Sequence, residues 1–264
     1  MNAELIKIHT QDGRTHFGAF YPAQGEARRM GVVFVHGWTG CFVGEMESVT
    51  PGLVAQAGYA CLVANNRGNG YMGAATEDFA GCIPDIAASI DFMEERGFDR
   101  VALIGHSKGG VKVAYYLTQT KDPRVARLGL LSPAPDVHSQ PAWMAESLGR
   151  KDTEAFMEEV RGMVERGEGE KMISLPVWPF FTTARTLWDH YTVRGDEVQE
   201  LVKGFTLPLL ALCGETEMDW CVAVTMLVKA TPANVRALII PGADHVYTGM
   251  EDKVANAIVD WLEE

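Results

Sequence analysis

The segment Gly105 to Gly109 carries the residue types that nucleophilic catalysis needs. It reads Gly-His-Ser-Lys-Gly and stands between an apolar run typical of a buried strand, Val101–Ile104, and a helical run, Val111–Gln119. A sharp strand-to-helix turn forces a serine into a strained backbone conformation and exposes its hydroxyl, and flanking glycines are needed because side chains there would collide with the turn. The turn also puts the hydroxyl at a helix N-terminus, where the dipole favours negative charge. The pattern predicts that Ser107 is a nucleophile.

A serine hydroxyl is a poor nucleophile at neutral pH, so it needs a base and an acid that fixes the tautomer of that base. His245 is the best base among the seven histidines, because it lies in a loop between the last strand candidate, Val235–Ile240, and the last helix candidate. The other histidines are expected to have structural, oxyanion-supporting, packing or surface roles: His9, His16, His36, His106, His138 and His190.

The elements that must position these residues follow from apolar patterning. Continuous apolar runs, each as long as a strand buried on both faces, alternate with helical stretches, and this order predicts a mostly parallel sheet with helices on both faces. In such sheets the chemistry lies at the carboxyl ends of the strands. Two alternating segments at the start, Leu5–His9 and Thr15–Tyr21, predict an antiparallel hairpin at a sheet edge. The buried runs are Val32–Val35, Tyr59–Ala64, Val101–Ile104, Val125–Leu131, Leu207–Cys213 and Val235–Ile240.

One stretch interrupts this alternation. Residues 136–203 separate two strand candidates by 68 residues and are rich in helix formers. We therefore expect an inserted helical cap at 136–203 and a core formed by 1–135 and 204–264. The insertion is rich in aromatic side chains, which either line a substrate pocket or attach the cap to the core. The candidates for substrate binding are Trp38, Trp143, Trp178, Phe181 and Trp188.

With these motifs the sequence resembles the α/β-hydrolase superfamily over nearly its whole length. Residues 32–40, VVFVHGWTG, are similar to the first parallel strand of that family and its His-Gly turn, and residues 239–247, IIPGADHVY, resemble its final strand and catalytic-histidine loop. The order serine, acid, histidine is the one this fold uses. The resemblance implies an α/β fold with an eight-stranded, mostly parallel sheet, and the capped esterase and lipase-like members are the most similar.

The family pattern also suggests the acid, which follows the penultimate strand. Spacing from Gly214 favours Glu217, and a loop bulge of two residues would favour Asp219 instead. Asp244 is a third candidate, but it is adjacent to His245 and would struggle to reach its Nδ1 atom. The same resemblance implies that the backbone N–H groups of Trp38 and Lys108 stabilise the oxyanion, a contribution of about 3–4 kcal/mol for each donor in other enzymes.

The amino-acid composition indicates which classes of partner to expect. The formal charge of −12 would repel phosphate backbones and anionic lipid, so small-molecule partners are expected and nucleic acid and membranes are not. Charged residues in the first twelve positions disfavour a signal peptide, and five cysteines without short paired spacing predict reduced thiols in a cytoplasmic protein. The sequence indicates neither a metal site nor a cofactor. It leaves the oligomeric state open, and a homodimer is compatible with it.

Together these features predict a serine hydrolase of the carboxylesterase type, acting through an acyl-enzyme on a small apolar or aromatic ester. The same triad would also serve an acyltransferase, a thioesterase or a hydrolase of carbon–carbon bonds, and the fold also occurs in non-catalytic ligand receptors. Haloalkane dehalogenases and epoxide hydrolases are disfavoured, because those relatives place Asp where this chain has Ser107.

Overall fold

A computed structural model describes residues 2–69, 74–134, 149, 152–175, 180–192, 198, 202–219, 221–230 and 232–264. Its strands are β1 (Glu4–His9), β2 (Thr15–Tyr21), β3 (Gly31–Val35), β4 (Cys61–Ala64), β5 (Ala74–Ala75), β6 (Val101–His106), β7 (Val125–Leu131), β8 (Met172–Leu175), β9 (Phe180–Thr183), β10 (Leu209–Gly214) and β11 (Val235–Ile240). Its helices are α1 (Glu45–Gln56), α2 (Cys82–Glu95), α3 (Lys108–Thr120), α4 (Thr153–Glu165), α5 (Ala184–Thr192), α6 (Val222–Ala230) and α7 (Glu251–Leu262). Within these ranges no helix is long and apolar enough to cross a membrane.

Eight strands form one sheet in the order β1-β2-β4-β3-β6-β7-β10-β11. The first two pair antiparallel, as does β2 with β4, and every later neighbour pair is parallel. The predicted edge hairpin and mostly parallel sheet are therefore confirmed. The carboxyl ends of β3, β6, β7, β10 and β11 consequently meet at one edge of the sheet.

Strands β3, β4 and β10 are apolar throughout because both faces of the sheet are covered. On β3, Val33 and Val35 belong to one core cluster, whereas Val32 and Phe34 belong to the cluster on the opposite face. Side chains from α2, α3 and α6 complete the first cluster, and side chains from α1 and α7 complete the second. Side chains alternate across a strand, so a strand covered on both faces needs an unbroken apolar run.

Residues 153–175 and 180–192, which lie within the predicted insertion, form strands as well as the expected helices. Strands β8 and β9 form an antiparallel pair, and β9 also pairs in parallel with the short β5 from the core segment. Helices α4 and α5 pack with this sheet around a small buried cluster of its own. The members of that cluster are Met157, Val160, Ile173, Ala184 and Leu187.

A buried ion pair lies where α5 contacts the core. The Lys112 ammonium is 2.8 and 2.9 Å from the two carboxylate oxygens of Glu77, and both side chains are fully buried. His190 of α5 lies 3.3 Å from the same carboxylate, and the Glu77 backbone N–H donates to Thr186 of α5 at 2.9 Å. Burial raises the pKa of Glu77, but Lys112 and His190 outweigh this effect and lower it to about 2. Glu77 therefore stays ionised and ties the insertion to α3.

We expect Lys112→Met to lower the free energy of unfolding by about 3–5 kcal/mol, because it leaves the buried Glu77 carboxylate without its main counterion. Urea denaturation measures this loss. Lys253→Met, on the exposed face of α7, is the matched control and should change stability by no more than about 0.5 kcal/mol. The double variant with Glu77→Gln should regain much of the loss. A loss below about 1 kcal/mol for Lys112→Met would contradict this role for the pair.

Candidate active site

Ser107 occupies a sharp turn between β6 and α3. Its φ is 55°, in the left-handed region that non-glycine residues seldom adopt. A Cβ atom at Gly105 would lie 2.2 Å from the carbonyl oxygen of Gly109, and one at Gly109 would lie 2.2 Å from that of Val35. Only glycine fits at either position: Gly105 permits the close approach of β6 to the start of α3, and Gly109 permits that of the turn to β3.

His245 lies in the loop after β11 and faces Ser107. Its Nε2 atom is 3.0 Å from the Ser107 Oγ atom. The loop is joined to the loop after β10, because Thr216 donates to the carbonyl of Ala243 through both its backbone N–H and its hydroxyl, at 3.1 and 3.0 Å. A Cβ atom at Gly214 would lie 2.4 Å from the same carbonyl, so glycine permits the close approach of the two loops.

Of the three candidate acids, the structure brings Glu217 to the histidine, whereas Asp244 accepts from the backbone N–H of Thr248 at 2.9 Å. Glu217 closes a short 3-10 turn, Glu215–Glu217, and its Oε2 atom accepts a hydrogen bond from His245 Nδ1 at 2.8 Å. Glu217 is 1% exposed. Asp219 lies two residues further on in an exposed turn. No bulge is needed, because the 3-10 turn itself carries the third residue after Gly214 inward.

Two buried hydroxyl groups that the sequence did not indicate support Glu217, one of them directly and the other through the first. Its Oε1 atom accepts from the backbone N–H of Gly214 at 2.7 Å and from the hydroxyl of Ser132, which follows β7. The Tyr247 hydroxyl is in turn 2.7 Å from Ser132 Oγ. With both carboxylate oxygens engaged, the carboxylate is fixed in orientation toward His245. The only sequence signal was the place of Ser132 at a strand end.

The predicted oxyanion loop also lies beside Ser107. A Cβ atom at Gly37 would lie 2.8 Å from Ser107 Cβ, so this glycine lets the loop after β3 approach the serine. The His36 ring fixes the loop: its Nδ1–H donates to the Gly37 carbonyl at 2.8 Å and its Nε2 accepts from the Asn66 N–H at 2.9 Å. Trp38 follows in this loop, and Lys108 begins α3, where the helix dipole favours an anion.

The predicted aromatic residues have different environments. Trp38 stacks on His190 of α5, with ring centroids 5.0 Å apart, and so connects the loop beside Ser107 to the insertion. Trp188 is partly buried and stacks on Tyr191, and Phe181 is half exposed on β9. Trp143 and Trp178 lie outside the described residues. Within the described chain, no group of three or more His, Cys, Asp or Glu side chains could hold a metal ion.

This arrangement can activate a hydroxyl. Burial lowers the pKa of His245, Glu217 raises it and nearby His106 lowers it, with a net shift downward. His245 is therefore the free base at neutral pH, able to accept a proton from Ser107. Since Nδ1 faces a carboxylate, it carries the ring proton, and Nε2 is left as the acceptor toward the serine.

Comparisons with known proteins agree with this fold. A family model described as alpha/beta hydrolase fold matches residues 32–161. A non-heme chloroperoxidase from Streptomyces lividans is 27% identical over 197 residues, 71% of this chain and 67% of that protein. Among solved structures, the alpha/beta hydrolase GrgF from a Penicillium species has a TM-score of 0.75 at 14% identity, covering 100% of this chain and 98% of that one. A carboxyl esterase from Bacillus coagulans has a TM-score of 0.72 at 13% identity, with the same coverage of 100% and 98%. The chain therefore has the α/β-hydrolase fold.

Proposed function

We propose that the protein is a serine hydrolase that cleaves carboxylic esters through an acyl-enzyme. The observation that carries the proposal is the hydrogen-bonded series of Ser107, His245 and Glu217, with 3.0 Å between Ser107 Oγ and His245 Nε2 and 2.8 Å between His245 Nδ1 and Glu217 Oε2. A nucleophile, a base within hydrogen-bond reach and a group that orients the base form the arrangement needed for acyl transfer.

In the first half-reaction the Ser107 hydroxyl attacks the ester carbonyl while His245 Nε2 takes its proton. The resulting oxyanion would be bound by the backbone N–H groups of Trp38 and Lys108. The tetrahedral intermediate then collapses, and the new imidazolium gives its proton to the departing alcohol. In the second half-reaction His245 removes a proton from water, which attacks the acyl-enzyme and releases the carboxylic acid and free Ser107.

The proposed substrate has a small apolar or aromatic group next to the ester. Trp38 is the main candidate for the pocket wall, because its own loop touches Ser107 and its ring stacks on the insertion through His190. We also propose that Phe181 and Trp188 line this pocket. Support for ester chemistry also comes from a structural neighbour that is itself a carboxyl esterase.

Stopped-flow mixing with p-nitrophenyl acetate tests this reaction. An acyl-enzyme mechanism predicts a burst of p-nitrophenolate that approaches the enzyme concentration, followed by slower turnover, and an acetyl group on the Ser107 peptide after acid quench. An acetyl group on another residue, or release of p-nitrophenolate without any covalent intermediate, would contradict the proposal.

The acceptor of the acyl group is tested in the same assay. If water is the natural acceptor, added methanol or glycerol should yield less ester than free acid at low millimolar concentrations. A preference for the alcohol would identify an acyltransferase instead. Hydrogen peroxide is a third acceptor to include, since the matched relative from Streptomyces lividans is named a non-heme chloroperoxidase. Thioester substrates tested in parallel separate esterase from thioesterase activity.

A further inference from the structure

The histidine that precedes the nucleophile forms hydrogen bonds through both ring nitrogens. His106 Nε2 lies 2.8 Å from the backbone carbonyl oxygen of His245, and Nδ1 lies 3.1 Å from Oε1 of Glu47 in α1. Both His106 and Glu47 are 6% exposed. A carbonyl oxygen can only accept, so Nε2 must carry a proton. Nδ1 faces a carboxylate, which also accepts when it is ionised.

His36 provides the internal comparison. It is fully buried, but one of its nitrogens faces a carbonyl and the other faces the N–H of Asn66, so it is held as a neutral ring. His106 has acceptors on both sides, and this favours the doubly protonated imidazolium paired with an ionised Glu47. The pKa values agree: burial lowers the pKa of His106, but Glu47 outweighs it and the net shift is upward. Burial raises the pKa of Glu47, and the hydrogen bond and charge of His106 help lower it overall.

The charge on His106 lies close to the proposed base. The ring centroids of His106 and His245 are 5.1 Å apart. The other charged groups that act on His245 are Glu217 from the loop after β10 and Asp244 on its own loop. The charged groups that act on His106 are Glu47 of α1 and Glu217. His36, which follows β3, acts in turn on Glu47. The nearest positive charge to His245 in this set is therefore the imidazolium of His106.

We propose that His106 and Glu47 form a positioning pair for His245: the pair holds the His245 loop by its backbone carbonyl and keeps a fixed positive charge beside the ring. This inference rests on the proposed function, in which His245 is the base. The hydrogen bond from His106 Nε2 to the His245 carbonyl fixes the distance between this loop and Ser107. The charge opposes protonation of His245, so the free base persists to lower pH than it would beside a neutral neighbour.

The variant Glu47→Gln distinguishes the effect of the charge on His106 from the effect of its hydrogen bond to the His245 loop. The glutamine amide can donate to Nδ1, so His106 becomes neutral while its Nε2–H still bonds to the His245 carbonyl. We expect the acid limb of kcat/KM to move to higher pH by about 0.5–1 unit, with kcat at pH 8 within about three-fold of the wild type. Glu95→Gln, an exposed position on α2, is the matched control and should leave the profile unchanged. His106→Leu, which loses the bond to the loop, should lower kcat at pH 8 at least about ten-fold.

Nitrogen-15 NMR of histidine-labelled protein measures the protonation states of His106 and His245 without a substrate. In the wild type, both His106 nitrogens should carry protons from pH 6 to 8, and His245 should titrate below its position in Glu47→Gln. A neutral His106 in the wild type, or an unchanged His245 titration when His106 becomes neutral, would overturn the proposal. If Glu47→Gln does not fold, the wild-type spectrum still decides the protonation state. Absence of ester hydrolysis would count against the proposed function and leave this spectrum as the test of the pair.

Discussion

Ser107→Ala is expected to lower kcat for an aryl ester by about 10⁴–10⁶-fold while the protein stays folded. The substitution removes only the oxygen that would form the acyl-enzyme and keeps the Cβ atom, so the turn between β6 and α3 retains its packing. Residual activity should come from the oxyanion donors and substrate binding alone. Steady-state kinetics with p-nitrophenyl acetate measure the loss.

The matched control for this variant is Ser89→Ala. The Ser89 hydroxyl donates to the carbonyl of Asp85, one turn earlier in α2, and lies outside the candidate site. Its removal should leave kcat within about two-fold. If Ser107→Ala retained more than about 1% of the wild-type kcat with an unchanged melting temperature, Ser107 would not be the nucleophile.

Glu217→Gln is expected to lower kcat by about 10³–10⁴-fold, whereas Asp219→Asn should change it less than about three-fold. The N–H of Gly214 can only donate, so the glutamine oxygen must take the place of Oε1. The amide NH₂ then faces His245 Nδ1 and can bond to it only if that nitrogen lacks a proton. The ring proton moves to Nε2, where it blocks removal of the Ser107 proton.

Comparison of the two variants in one assay decides between the acids. Both change a carboxylate to an amide two residues apart, so general effects of charge are shared between them. Equal losses would indicate that electrostatics and not tautomer control matters. A larger loss in Asp219→Asn would mean that the loop adopts another conformation during turnover and would contradict the assignment of Glu217.

The positions of the strands along the chain were predictable because local apolar pattern determines them. The runs Val125–Leu131 and Val235–Ile240 are strands with those bounds. Each run is mostly apolar and carries a single charged residue near its start, Arg127 or Arg236, so the apolar pattern still marks the strand. The strand before Ser107 is longer than predicted and extends through His106, because Gly105 and His106 continue to pair with β7. Helix α2 begins at Cys82, which places Pro84 in the first turn, where a missing N–H costs least.

Long-range polar partners were not predictable in the same way. Ser132 and Glu217 are 85 positions apart, and Glu77 and Lys112 are 35 positions apart. Nothing in the local sequence of any of these residues indicates its partner. The choice between the two acids depended on a 3-10 turn whose propensity is weak compared with the tertiary contacts that select it. Residue spacing was therefore enough to identify Ser107 and His245 as candidates. The orientation of the acid depends on contacts between loops that only the folded chain brings together.

Intact-mass analysis after exposure to a fluorophosphonate tests the central claim most directly, because it requires an activated serine and no knowledge of the substrate. Assembly of Ser107, His245 and Glu217 predicts one covalent adduct on the wild type and none on Ser107→Ala under the same conditions. An adduct that persists on Ser107→Ala, or a folded wild type that never reacts, would contradict it.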